Sequence, residues 1–353
     1  MVLFIKVVLK FLTYYSLALI FVVLSAICID SFYVFKDYEH YYAGNQVSLN
    51  RGVLSFNRFN NNKENNKYDS FIFGSSRSIA FKCSEWEKYL AAEHSSYHFD
   101  SLGEGIYGIS IKIKYLDSIG QRIRNAIIII DQDVLSITNN RDGHLFIAHP
   151  SISNESKLEY YYTFIKAQLN IKFIIAQIDY AGFKKYRPYM SNLFSNVSEP
   201  FIEDPITNDL WYGEDKMIRD DSTRYYDRLI QAGVFYDDRP QNDKHIYDIE
   251  DEWLLLSNIK DIFTSHHTQY KIIISPLYNQ IALHEKQVKM LEAIFGAENI
   301  YNYSGVNEYT NNYGNYYEQS HFRTHVANQI FEDIYQTKIG EQEYPKVAPY
   351  VQF

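Results

Sequence analysis

From residue 67 onward, short apolar runs alternate with stretches whose apolar positions recur at helical spacing. Phe71–Phe73, Tyr97–Leu102, Ala126–Ile130 and Tyr270–Ile274 read as strands. The unbroken branched run Ala126–Ile130 predicts a central strand covered on both faces. Between them, Ser84–Glu93, Ile109–Ile123, Trp253–Phe263, Ile281–Phe295 and Val326–Tyr335 predict helices, with Gly296 closing the fourth. Ile109–Ile123 also alternates like a strand, and its place between two strands decides for helix. Such alternation predicts an α/β domain around a mostly parallel sheet.

Two regions break the pattern. Phe11–Ile29 carries no charge over about nineteen residues, roughly 28 Å as a helix and enough to cross a bilayer core. Lys6 and Lys10 precede it and Asp30 follows, which predicts an uncleaved anchor with the rest of the chain outside the cytoplasm. From about residue 136 to residue 250 the alternation fails. Tyr160–Ile178 holds one or two helices, and the remainder, with Pro150, Pro188 and Pro205, reads as polar loop. This insertion leaves the carboxyl end of a central strand, so a lid over a site and a packing or oligomer element are both open.

The expected organisation is an N-terminus and anchor over 1–30, a juxtamembrane segment and linker over 31–67, the α/β domain over 68–340, and a tail over 341–353. The asparagines around 60–66 read as loop. Tyr33, Tyr38, Tyr41 and Tyr42 fit a membrane interface or packing on the domain equally well.

Composition narrows the function. A net charge of −9 without a basic block argues against nucleic acid as partner. The 33 tyrosines are read first as the imprint of an AT-rich bacterial genome and second as carbohydrate-facing surface. Two cysteines, one of them in the anchor, exclude a disulfide framework. His321 and His325 have i, i+4 spacing but no H-E-x-x-H pattern, so no metal is expected, and no phosphate loop or other cofactor motif is present.

The candidate chemistry sits at two ends of the chain. Tyr68–Ser78 reads Y-D-S-F-I-F-G-S-S-R-S, a strand that stops at Gly74 and turns through two serines into a helical start. A serine at such a corner projects from the carboxyl edge of the sheet beside helix amides. Near the other end, Glu318-Gln319-Ser320-His321 puts a carboxylate three residues before a histidine, just ahead of the last helix.

A G-x-S after the first strand together with acid-x-x-His before the last helix resembles the first and last blocks of the SGNH (GDSL-like) hydrolase family. The likeness is greatest to its membrane-anchored extracytoplasmic branch, which includes the teichoic acid D-alanyl transfer protein and the alginate O-acetyltransferase proteins. It covers roughly residues 68 to 335. It implies a three-layer α/β fold, Ser76 as nucleophile, His321 as base and Glu318, where the family has aspartate, as its orienting acid. The oxyanion donors implied are the Ser76 amide, Gly105 or Gly103 from the second block, and the third-block position, where Asp131-Gln132-Asp133 stands in place of G-x-N. There Gln132 is able to donate, whereas an ionised Asp133 repels an oxyanion. For Arg77 two roles are open, binding an anionic substrate or pairing with Asp131 or Asp133.

The activity this resemblance implies is transfer or hydrolysis of an acyl ester, first of all O-acetyl, on a cell-surface glycan. It implies a bacterial cytoplasmic membrane location and a membrane-bound O-acyltransferase as partner. An inactive glycan-binding or assembly module and a simple esterase are the alternatives.

Overall fold

The computed structural model describes residues 1–42, 46–194, 201–237, 239 and 250–336; the tail over 341–353 lies outside them. Helix α1 (Val2–Ile29) is long and apolar enough to cross a membrane. It ends at Asp30, which adopts a left-handed φ of 46°. The carboxylate of Asp30 accepts hydrogen bonds from the amides of Val34, Phe35 and Lys36, and the Lys36 ammonium donates to the Cys28 carbonyl, so the chain leaves α1 through a tied turn.

Helix α2 (Arg51–Asn66) corrects the expectation of a linker with an asparagine loop. The Asn50 side chain accepts from the Val53 amide at 3.2 Å and caps it. Val53, Leu54, Phe56 and Phe59 are buried, and Phe56 and Phe59 belong to the core on one face of the sheet. That burial outweighs the weak helix propensity of the asparagines. Upstream, Tyr41 is buried and its ring lies near those of Tyr33 and Tyr38, so this aromatic group packs on the folded chain.

Strand β1 (Ser70–Gly74) leads into a 3-10 turn (Ser76–Ala80), a short helix α3 (Cys83–Trp86) and a second 3-10 turn (Glu87–Tyr89), replacing the single helix expected over 84–93. Strand β2 (Ser96–His98) is shorter than read, although the Phe99 amide still donates to the Ile72 carbonyl. Next come α4 (Ile106–Ser118), β3 (Asn125–Ile130) and α5 (Gln132–Ser136).

The insertion holds α6 (Pro150–Ser153), α7 (Lys157–Gln168), α8 (Ile171–Phe183), a small hairpin of β4 (Ile202–Glu203) and β5 (Leu210–Trp211), and α9 (Glu214–Gln231). The two-helix reading of Tyr160–Ile178 holds, whereas the polar-loop reading fails at α9. Its Tyr225 and Tyr226 are buried in the second core and donate to the carbonyls of Tyr317 and Tyr316. Few apolar positions mark α9, and tertiary contacts to its tyrosines supply what periodicity does not show. The chain closes with α10 (Glu250–His266), β6 (Gln269–Ile274), α11 (Glu285–Phe295), β7 (Ile300–Asn302), the hairpin β8 (Tyr316–Glu318) and β9 (His321–Phe322), and α12 (Thr324–Gln336).

Five parallel strands form the sheet in the order β2-β1-β3-β6-β7. Alternate residues feed two cores. Phe71, Phe73, Ile128, Ile130, Ile272 and Ile274 face one side, with α4 and α10, while Ile72, Ile127, Ile129 and Ile273 face α12. Strand order reverses between β1 and β3, which opens a crevice at their carboxyl ends.

Candidate active site

The corner after β1 is set by sterics. A Cβ on Gly74 would stand 2.8 Å from Ser78 Cβ and 3.0 Å from the Ile129 carbonyl, so only glycine lets the turn close against β3. Ser75 is extended and caps the 3-10 turn, which Ser76 opens. Ser76 is half-buried, and the first amides of a helical turn have no partner within the turn.

On the opposite side of the crevice, β8 and β9 form a tight antiparallel pair in which Glu318 lies across from His321. This register explains the acid-x-x-His spacing, because a two-residue connection brings both side chains to one face. An irregularity between Tyr316 and Glu318 falls where the carboxylate arm is one methylene longer than aspartate.

The two halves meet across 245 positions of sequence. The Ser76 hydroxyl lies 2.8 Å from His321 Nε2. His321 Nδ1 is hydrogen-bonded to Glu318 Oε1, and Glu318 Oε2 accepts from the Ser320 amide at 2.8 Å. This network assigns Nδ1 as the protonated ring nitrogen and Nε2 as the acceptor from serine. Burial pushes the Glu318 carboxyl up, but its hydrogen bond to His321, the charge there, the Ser320 amide and Arg77 together hold it below its ordinary value.

Arg77 ties three segments to one another. Its Nη1 lies 2.7 Å from Asp131 Oδ2, its Nη2 donates to Asp133 Oδ2 at 2.8 Å, and its Nε donates to the Ser320 carbonyl at 3.2 Å. Burial lowers the guanidinium pKa, and the two carboxylates more than restore it. Asp133 is therefore paired, although one guanidinium shared by two carboxylates leaves the group with one negative charge in excess. Asp131 is buried and also caps α5 by accepting from the Val134 amide. Gln132 opens α5 beside it.

Both candidate glycines have local structural roles. A Cβ on Gly105 would meet Ile137 Cβ at 2.3 Å, and Gly103 takes a φ of 60° with its carbonyl accepting from Arg141. Their contacts run to the 137–146 loop, and it is Ser101 whose amide reaches the end of β1, at the Gly74 carbonyl. His321 stands in β9 while His325 stands in α12 and pairs with Asn315, so the two do not share a helical face. Among the described residues no cluster of metal-ligating side chains is found.

Tyr212 was not anticipated. It comes from the insertion, and its ring centroid lies 5.6 Å from that of His321 and 4.6 Å from that of Tyr317. A cavity of about 780 Å³ opens beside it, lined by Trp211, Tyr212, Gly213, Asp215, Arg323 and Thr324 among others. Nothing in the sequence joins Tyr212 to His321, since only the path of the insertion does so.

A second Ser-His-Asp chain lies below the first. Ser78 Oγ is 2.9 Å from His98 Nε2, and His98 Nδ1 is 3.3 Å from Asp209 Oδ1. All three residues are at most 1% exposed. The Ser78 hydroxyl already donates to the Ser75 carbonyl at 2.7 Å, which leaves it to accept from His98, the reverse of what a nucleophile requires. This chain braces the corner from within.

No protein-family model matches the chain, and no curated protein matches it in sequence.

Proposed function

We propose that the chain is an SGNH-like, serine-dependent acyl-ester transferase or hydrolase, anchored by α1 in the bacterial cytoplasmic membrane and acting outside it on a cell-surface glycan. The observation that carries this reading is the continuous path from Ser76 Oγ through His321 to Glu318, at the carboxyl edge of a parallel sheet.

The chemistry follows from that path. Ser76 Oγ attacks the acyl carbonyl while His321 Nε2 takes its proton, and Glu318 stabilises the imidazolium through Nδ1–H. As the tetrahedral adduct collapses, the bond to the leaving alkoxy oxygen breaks and that oxygen receives the proton from Nε2, leaving acyl-Ser76. An acceptor hydroxyl, or water, then repeats the sequence in reverse. In this reading the Ser76 amide, in the first turn, is one donor to the developing oxyanion. A missing donor of this kind typically costs about a hundred- to a thousandfold in rate, so a second donor from the 103–105 loop or Gln132 belongs to the proposal. The cavity lined by Trp211 and Tyr212, whose ring lies by that of His321, is the space this reading assigns to an acceptor sugar. The family resemblance adds a membrane-bound O-acyltransferase as the source of the acyl group.

The test is intact-protein mass spectrometry of the full chain in detergent after incubation with p-nitrophenyl acetate. An acetyl adduct or ester turnover that Ser76→Ala and His321→Ala both remove supports the reading. A folded wild-type chain with neither adduct nor turnover across several acyl donors points instead to an inactive glycan-binding or assembly module.

A further inference from the structure

Helix α8 (Ile171–Phe183) is mostly apolar, yet the protein covers only one of its sides. Phe173 and Ala176 are buried with Phe32, Phe164 and Phe194. On the opposite side Ile171, Ile175 and Ile178 follow one another at helical spacing and are 75%, 53% and 68% exposed, and Phe183 at the end is 71% exposed. A contiguous exposed apolar stripe marks a surface that meets something.

Its position indicates what covers it. Ser31 lies two residues beyond the end of α1 and is clasped by α7 and α8. Gln168 donates to Ser31 Oγ at 2.8 Å and Gln177, in α8, donates to the same oxygen at 2.6 Å. With the Asp30 turn described above, these bonds fix α8 beside the exit of α1. The rim of the stripe is basic, since Lys172, Lys184 and Lys185 are exposed, while the nearby Asp179 is paired with Arg187 at 2.7 Å and with the Tyr189 hydroxyl. An apolar stripe edged with lysines suits an anionic bilayer surface.

We infer that α8 lies on the membrane in which α1 is anchored, with Ile171, Ile175, Ile178 and Phe183 in the headgroup–acyl boundary and the lysines at the phosphates. The inference rests on the reading of α1 as a membrane span. Two attachments then fix the orientation of the domain, where α1 alone would leave it free to turn.

The experiment uses the full chain with Cys28→Ser, reconstituted in liposomes of phosphatidylcholine with a minority of phosphatidylglycerol. An environment-sensitive NBD label is placed singly through Ile175→Cys, Ile178→Cys, Ser25→Cys in α1 or Lys289→Cys in α11, and is challenged with lipid-borne doxyl quenchers. The expected result is strong quenching at Ser25 and quenching at Ile175 and Ile178 severalfold above that at Lys289. Quenching at Ser25 with Ile175 and Ile178 at the Lys289 level overturns the inference and leaves the anchor standing. Loss of quenching at Ser25 as well overturns the anchor and the inference with it. Blue-shifted emission at Ile175 without lipid quenching, together with a cross-linked dimer, assigns the stripe to a second copy of the chain and also overturns it.

Discussion

Arg77, the residue after the candidate nucleophile, donates through Nε to the carbonyl of Ser320, the residue before the candidate base, at 3.2 Å. Its other nitrogens hold Asp131 and Asp133 at the end of β3. One guanidinium thus sets the distance between the serine corner and the histidine hairpin. Arg77→Lys keeps the charge but loses the planar fork that serves three partners. Ester turnover is expected to fall about 10- to 100-fold, because small misplacements of a catalytic pair cost that much. A full-rate Arg77→Lys enzyme would show that the guanidinium does not position the pair.

The Glu318 carboxylate orients His321 through Nδ1. Glu318→Gln preserves the shape but lets the side-chain amide donate toward the ring and favours the wrong tautomer. The expected loss in kcat is about 10³- to 10⁴-fold, with KM little changed. Glu318→Asp shortens the arm by one methylene in a hairpin built for glutamate, and a smaller loss, about 10- to 100-fold, is expected. Aspartate turning over faster than glutamate would contradict the fit of this hairpin to its longer acid.

The depressed Glu318 carboxyl also makes a prediction for stability. Its folded pKa lies below the unfolded value, so the stabilisation is complete above the ordinary carboxylate range and is lost as pH falls through the folded value. Over that acid window the unfolded chain binds the extra proton first, and stability declines with falling pH. Thermal unfolding of Glu318→Gln across the same window is expected to decline less steeply than that of the wild type. Parallel curves would assign the acid sensitivity to other carboxylates.

Ser78 and His98 provide an internal control. Peptide mapping after acylation or phosphonylation is expected to place the label on Ser76 and none on Ser78, which is fully enclosed. His98→Ala removes one buried hydrogen bond from Ser78, which keeps the Ser75 carbonyl, and one from Asp209, which keeps the Cys83 amide, so a loss of about 1–3 kcal/mol in denaturant unfolding is expected. A label on Ser78 would reverse the assignment of the two chains.

By itself the sequence determined the parts whose cause is local. Branched runs such as Ala126–Ile130 dictate buried strands because every residue enters one of two cores, and an uncharged stretch such as Phe11–Ile29 dictates a free apolar helix. Gly74-Ser75-Ser76 was legible as a corner, and Glu318 with His321 as a pair, because strand ends and hairpin spacing are short-range geometry. Tertiary structure decided the rest. The asparagine-rich α2 and the tyrosine-bearing α9 are helices because Phe56, Phe59, Tyr225 and Tyr226 find buried partners far away in the chain. Gly103 and Gly105 turned out to be shaped by Arg141 and Ile137, contacts that no spacing foretells. The same holds for Tyr212 on His321 and for the Ser78–His98–Asp209 brace, which exist only once the insertion has been laid against the sheet. Local sequence sets which side chains stand at the crevice, and the packing of distant segments sets which of them touch.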